Sequence, residues 1–71
     1  MKKYLVVIEA TETGFSAYSP DLPGCVATGA TRAEVEREMR AAMQFHVEGL
    51  REEGYAVPEP QAYPVFCELA A

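Results

Sequence analysis

Hydrophobic and polar positions follow two different periods along this 71-residue chain. Residues 3–9 (KYLVVIE) and 15–19 (FSAYS) are rich in aromatic and β-branched side chains, so they favour two strands joined by a polar turn at residues 11–14. A loop this short is typical of an antiparallel hairpin. From Val35 onward the apolar positions recur at steps of three and four residues, which indicates one amphipathic α-helix.

The helix carries sequence signals at both ends. Thr31 followed by Glu34 is typical of a capping box, in which the two side chains bind backbone N–H groups at the start of the helix. The helix should continue to about Glu53, with Gly54 as its stop. Its apolar stripe consists of Val35, Met39, Ala42, Met43, His46 and Leu50.

Prolines delimit the segments outside the helix. Pro20, Pro23 and Gly24 predict a turn over residues 20–24, and residues 25–28 then form a third short strand. Residues 57–64 contain three prolines and predict an extended linker of polyproline character. A last strand is expected over residues 65–69.

The resulting order, β-β-β-α-β, predicts a single α+β domain over residues 1–71. A right-handed crossover through the helix would place the fourth strand parallel to the first. The first strand is apolar on both faces, with Tyr4, Val6 and Ile8 on one and Leu5 and Val7 on the other, as expected of a central strand. We therefore predict a four-stranded mixed sheet of order 3-2-1-4 with one long helix on one face.

One helix covers only one face of such a sheet. Leu5, Val7 and Phe66 would then form an apolar patch on the uncovered face, and they are the candidate oligomer interface. A domain of this size also buries only about 60% of the surface of its unfolded chain, so it gains from association. The sequence predicts a homo-oligomer, either a dimer or a tetramer.

Charge narrows the choice of partner. The net charge is −5, with 11 acidic and 6 basic side chains, which disfavours nonspecific binding to nucleic acid and suits a basic protein partner. The apolar run at residues 5–8 is too short to cross a bilayer, and no secretion signal precedes it. A cytoplasmic protein without a membrane partner is expected.

Catalytic chemistry has little support in the sequence. Cys25 and Cys67 lack the spacing of a zinc site, and both are expected to be buried and reduced. Glu9, Glu12 and Asp21 are the candidates for a metal-dependent nuclease, but they are expected at a strand end and in two separate turns. We expect no catalytic residue, no metal and no cofactor.

The turn at residues 20–24 carries the candidate partner-binding residues. Asp21 is suited to accepting backbone hydrogen bonds within the turn, and contact with a partner is the alternative role. Tyr18 and Leu22 flank it and are expected to be half exposed, where they could anchor an interface.

Four segments together resemble the HicB-like antitoxin family. They are VVIE at residues 6–9, FSAYSPDLPGC at 15–25, GAT at 29–31 and VPEP at 57–60, and the longest is the most specific. The resemblance implies a truncated ribonuclease H-type fold with the same order of elements over essentially the full chain.

The resemblance also implies binding rather than catalysis. Antitoxins of this family occupy the surface of HicA, a small basic toxin that cleaves messenger RNA. Members usually continue into a C-terminal DNA-binding module, and this chain ends about where that module would begin, so no direct contact with nucleic acid is expected. The alternatives are an orphan oligomeric binding or regulatory module without a toxin partner, and a metal-dependent nuclease on a ribonuclease H-like frame.

Overall fold

A computed structural model describes residues 2–71 of the chain. Its regular elements are three strands, β1 (Val7–Ala10), β2 (Phe15–Tyr18) and β3 (Val26–Gly29), followed by one helix, α1 (Arg32–Glu52). The sheet is antiparallel throughout and has the order β1-β2-β3. The predicted α+β class and the adjacency of the first three strands are confirmed.

The β1–β2 hairpin is closed by a tight polar turn. Val7 lies opposite Tyr18 and Ala10 lies opposite Phe15, and the Thr11 N–H donates to the Gly14 carbonyl at 2.8 Å. A side chain at position 14 would collide with the carbonyl oxygen of Gly29, so the turn needs a glycine where it passes the end of β3. The turn predicted at residues 11–14 is confirmed.

Both ends of α1 are capped by its own sequence. The Glu34 N–H donates to Thr31 Oγ1 at 3.1 Å, and the Ala30 N–H donates to the Glu34 carboxylate at 3.1 Å. The predicted capping box therefore forms, with its second bond one residue earlier than the usual partner. At the other end, Gly54 has φ of 79° and the Tyr55 N–H donates to the Leu50 carbonyl at 2.8 Å, which is a Schellman motif.

The core lies between α1 and the inner side of β2 and β3. A glycine at position 29 lets the helix approach the sheet closely, because a side chain there would collide with the backbone of Val35. α1 packs chiefly on β3 and β2, and β1 lies at the margin of this contact. The buried apolar side chains are Ala17, Leu22, Cys25, Val35 and Met39.

Two parts of the fold prediction are wrong: the first strand begins at Val7 instead of residue 3, and the fourth strand does not form. Residues 65–69 form no strand, so the sheet order 3-2-1-4 lacks its last member and β1 is an edge strand instead of a central one. A strand requires a ladder partner, and the chain after residue 62 runs into solvent without reaching the free edge of β1. The radius of gyration, 13.8 Å, accordingly exceeds the value of about 11 Å for a compact chain of this length.

The N-cap of α1 supplies a stability prediction. Thr31→Ala removes the oxygen that binds the Glu34 N–H, so it should lower the free energy of unfolding by about 1 kcal/mol. Thr31→Ser keeps the oxygen and should stay close to the parent value. Urea unfolding followed by circular dichroism at one fixed protein concentration measures both, and equal losses for Ala and Ser would contradict the capping role.

Candidate protein-binding face

One face of the sheet has no helix over it, and we call it the outer face. Strand residues alternate between the two sides of a sheet. Tyr4, Val6 and Ile8 pack against the core cluster, as predicted, so Leu5 and Val7 belong to the opposite side. By the same alternation the outer face of the three strands consists of Val7, Glu9, Ser16, Tyr18, Val26 and Thr28, and Leu5 lies just before it in the chain.

An apolar row crosses the outer face. The strand register places Tyr18 directly opposite both Val7 and Val26, so the three side chains are cross-strand neighbours. Tyr18 is 43% exposed and Val26 is 65% exposed. A contiguous apolar row with an exposed tyrosine at its centre is typical of a protein interface.

A polar row lies beside the apolar one. Ser16 is opposite both Glu9 and Thr28, so a carboxylate and two hydroxyl groups flank the hydrophobic strip. Apolar centres bordered by polar groups are the usual anatomy of protein–protein interfaces. The outer face therefore suits a macromolecular partner, because it combines an exposed apolar row with a polar border.

The turn after β2 is built into the core. The Leu22 N–H donates to the Ser19 carbonyl at 3.2 Å, and the Cys25 N–H donates to the Leu22 carbonyl at 3.1 Å. Gly24, at φ of 83° after Pro23, gives the second of these turns the type II pattern. Leu22 is 0% exposed, so the prediction that it would be half exposed is wrong, while that for Tyr18 is confirmed.

Asp21 fixes a distant part of the chain. One oxygen of its carboxylate accepts the N–H groups of Gln61 at 3.0 Å and Ala62 at 2.9 Å. The sequence suggested a hydrogen bond within the turn or a contact with a partner for Asp21. Neither expectation included hydrogen bonds to residues 61 and 62. The residue types around Asp21 carry no signal for a partner 40 positions away.

Two further contacts hold the same segment against the amino end of the chain. The Tyr4 hydroxyl donates to the Pro58 carbonyl at 2.6 Å, and Lys2 forms an ion pair with Glu59 at 2.9 Å. The ion pair is exposed and contributes little, so the hydrogen bonds of Tyr4 and Asp21 are the main anchors. Residues 58–62 are therefore held beside the start of the first strand.

The structure brings together only some of the predicted site residues. Tyr18 and Val7 become neighbours on the outer face, although the sequence assigned them to two different interfaces. Phe66 is 94% exposed and lies outside this face. Val26 was not among the predicted site residues. The sequence signal for it is an apolar residue that alternates with Cys25 and Ala27, which both face the core.

The candidates for catalysis do not assemble. Among residues 2–71, no group of three His, Cys, Asp or Glu side chains could hold a metal ion, so Glu9, Glu12 and Asp21 do not converge. Burial raises the pKa of the Cys25 thiol above its ordinary value. Cys67 is exposed, so its predicted burial is wrong, and both cysteines are free. In the part of the chain that the structure describes, no helix is long and apolar enough to cross a membrane.

Comparison with protein families gives a match over residues 4–67. The matching family is described as "HicB_like antitoxin of bacterial toxin-antitoxin system". A chain of the solved HicA3 and HicB3 toxin-antitoxin complex is 36% identical to this chain, and the two superpose with a TM-score of 0.74. The match covers 86% of this chain and 71% of that one. The solved antitoxin HicB3 gives 36% identity and a TM-score of 0.70, over 86% of this chain and 45% of that one.

Two curated relatives differ in length. An uncharacterized 14.9 kDa protein of Haemophilus phage HP1 is 34% identical over 56 residues, which are 79% of this chain and 42% of the phage protein. The UPF0150 protein Ta0767 of Thermoplasma acidophilum is 31% identical over 61 residues, which are 84% of this chain and 88% of that protein. The chain thus spans less than half of the first relative and most of the second.

The Asp21 anchor can be tested by amide exchange. Asp21→Ala removes the acceptor of two charge-assisted hydrogen bonds, so the Gln61 and Ala62 amides should exchange about tenfold faster or more. Asp21→Asn retains an oxygen acceptor without the charge and should show a smaller increase. Hydrogen exchange measured by NMR resolves both amides, and unchanged rates in the alanine variant would show that the anchor does not hold in solution.

Proposed function

The chain belongs to the HicB-like antitoxin family, and from this premise we propose that it binds and neutralises a small, basic, RNA-cleaving toxin of the HicA type. The toxin would be held by protein–protein contact on the outer face. The structural match to a chain of the HicA3 and HicB3 complex is the observation that carries this proposal. Since the target of such a toxin is messenger RNA, the pair would act in the cytoplasm.

The outer face offers a mode of inhibition that needs no chemistry. A toxin is blocked when its RNA-binding surface is occupied, so the antitoxin needs complementary shape and charge but no catalytic group. Tyr18 and Val26 supply exposed apolar area on β2 and β3, and Glu9 supplies a carboxylate on the same side of the sheet. The net charge of −5 adds long-range attraction to a basic partner.

Self-association is the second part of the proposal. Val7 lies on the edge strand β1, Tyr18 lies beside it at the centre of the outer face on β2, and Val26 lies on the opposite edge strand β3. The β1 margin, together with Phe66, is therefore available to a second copy while the β2–β3 side receives the toxin. A dimer or a tetramer of this kind would present more than one toxin-binding surface.

A stand-alone module without a toxin is the alternative function. One observation favours it: the chain covers 88% of the Thermoplasma relative, so a domain of about this size exists as a protein by itself. Such a module would still be oligomeric, but it would have no RNA-cleaving partner. The two functions differ in whether a HicA-type protein is bound.

The decisive experiment mixes the purified chain with the HicA-type protein from the same genome. Size-exclusion chromatography with light scattering should give a stoichiometric complex, and cleavage of a messenger RNA by the toxin should fall as the chain is added. A protein that forms its own oligomer but neither binds the toxin nor slows cleavage would favour the stand-alone module.

A substitution on the apolar row tests where the toxin binds. Tyr18→Asp places a charge at the centre of the row and should weaken toxin binding about 100-fold, the effect typical of an interface hot spot. Phe45→Asp is the matched control, because Phe45 is an aromatic residue 80% exposed on α1, away from the outer face. Calorimetric titration measures both affinities, and equal losses for the two variants would contradict binding at the outer face.

A further inference from the structure

A groove runs between β1 and α1 and is left open because the helix lies over the other two strands. This open groove has a volume of about 1180 Å³. Val6, just before β1, and Ile8, within β1, form one apolar wall, and Met43 and Val47 of the helix form the other. The groove thus uncovers part of the inner face of the sheet, along the free edge of β1.

The same chain carries an apolar segment that lacks a partner. Every residue from 63 to 71 is exposed, and we call residues 63–69 the tail. Four of the eight large hydrophobic side chains exposed in the structure belong to the tail: Tyr63, Val65, Phe66 and Leu69. An extended apolar segment beside an unpaired sheet edge is the arrangement from which strand addition arises.

The tail matches the groove in length and in pattern. Residues 65–69 span about 17 Å as a strand, and residues 4–8, which comprise the first two residues of β1 and the three before it, span about the same distance when extended. Alternation places Val65, Cys67 and Leu69 on one side of the strand and Phe66 and Glu68 on the other. One side can therefore fill the groove while Phe66 reaches the outer face.

The course of the chain directs the tail away from its own β1. Asp21 holds the N–H groups of Gln61 and Ala62, so the base of the tail is fixed at the turn after β2. Pro64 restricts Tyr63 to an extended backbone, which opposes a reversal of direction at this point. Within one chain, the tail therefore does not occupy the groove. In a pair of copies, each tail can occupy the groove of the other copy.

We propose that two copies exchange their tails, so that residues 65–69 of each chain add as a strand to the free edge of β1 in the other. Val65, Cys67 and Leu69 fill the groove of the second copy, and Phe66 packs beside its Leu5 and Val7 on the outer face. Two-fold symmetry makes the exchange reciprocal and closes the assembly as a dimer. This inference develops the self-association proposed above and does not depend on toxin binding.

Disulfide trapping tests the exchange directly, because Cys67 lies within the tail. Val6→Cys and Ile8→Cys each place a thiol on the wall of the groove, and the two positions cover neighbouring registers of the added strand. Mild oxidation of either variant should give a covalent dimer whose Cys67 is linked to the introduced thiol, as identified by peptide mass spectrometry. Phe45→Cys, with an exposed thiol on α1, and the parent chain should show only background cross-linking.

Each other result of the trapping overturns the exchange in a distinct way. A disulfide within one chain would mean that the tail pairs with its own β1. A dimer in light scattering that cross-links at neither position would leave self-association standing but place it elsewhere. A 7.8 kDa monomer would overturn both the exchange and the proposed self-association. None of these results bears on the toxin assay, which is measured separately.

A backbone substitution in the tail gives an independent test. Val65→Pro removes one N–H from the added strand, so the dimer dissociation constant should rise 100-fold or more in analytical ultracentrifugation. Val65→Thr keeps the N–H and the β-branched shape and should leave the dimer intact. Because Val65 is exposed in the single chain, both variants should retain the helical circular dichroism signal. A proline variant that remains as dimeric as the parent would rule out the exchange.

Discussion

The rest of this small structure depends on the turn between β2 and β3. Residues 19–22 of this turn make three contacts with other parts of the chain. The Ser19 hydroxyl donates to the Leu5 carbonyl, the Asp21 carboxylate accepts the N–H groups of residues 61 and 62, and the Leu22 side chain is buried in the core. The amino-terminal strand, the helix-facing core and the carboxy-terminal segment thus meet at one rigid turn. In the part of the chain that the structure describes, the core contains five buried apolar residues, so these contacts at the turn supply cohesion that a larger domain obtains from its interior.

Each of the two faces of the sheet leaves apolar surface uncovered. On the outer face, apolar side chains stand in a row across all three strands without a covering layer. On the inner face, α1 covers β2 and β3 but leaves β1 partly bare, because its closest approach to the sheet is fixed at Gly29. Within residues 2–71, the single helix provides no second layer over these surfaces. Association with another chain is one way to bury them.

Local sequence signals predicted the elements that depend on local physics. The capping box at Thr31, the stop at Gly54 and the tight turn at residues 11–14 are fixed by neighbouring residues, and all three are present. The prediction of a fourth strand was wrong because the residue types at 65–69 favour a strand but do not determine which sheet edge, or which chain, provides its hydrogen-bonding partner. The burial of Leu22 was not predicted for the same reason, because burial is a property of the tertiary fold, as are the hydrogen bonds of Asp21 across 40 positions. An uncovered sheet face carrying Val7 was predicted, because alternation along a strand can be read from one sequence, whereas the position of Tyr18 beside Val7 depends on the register of the hairpin.

The hydrogen bonds of Asp21 also bear on the entropy of association. A free nine-residue segment loses conformational freedom over its whole length when it pairs with another chain, and that loss opposes binding. Here the residues just before the segment are already ordered against the body of the protein, so its position and starting direction are set before any partner arrives. The carboxylate of one turn residue thereby acts as a preorganising element, which lowers the conformational entropy that the segment loses on pairing.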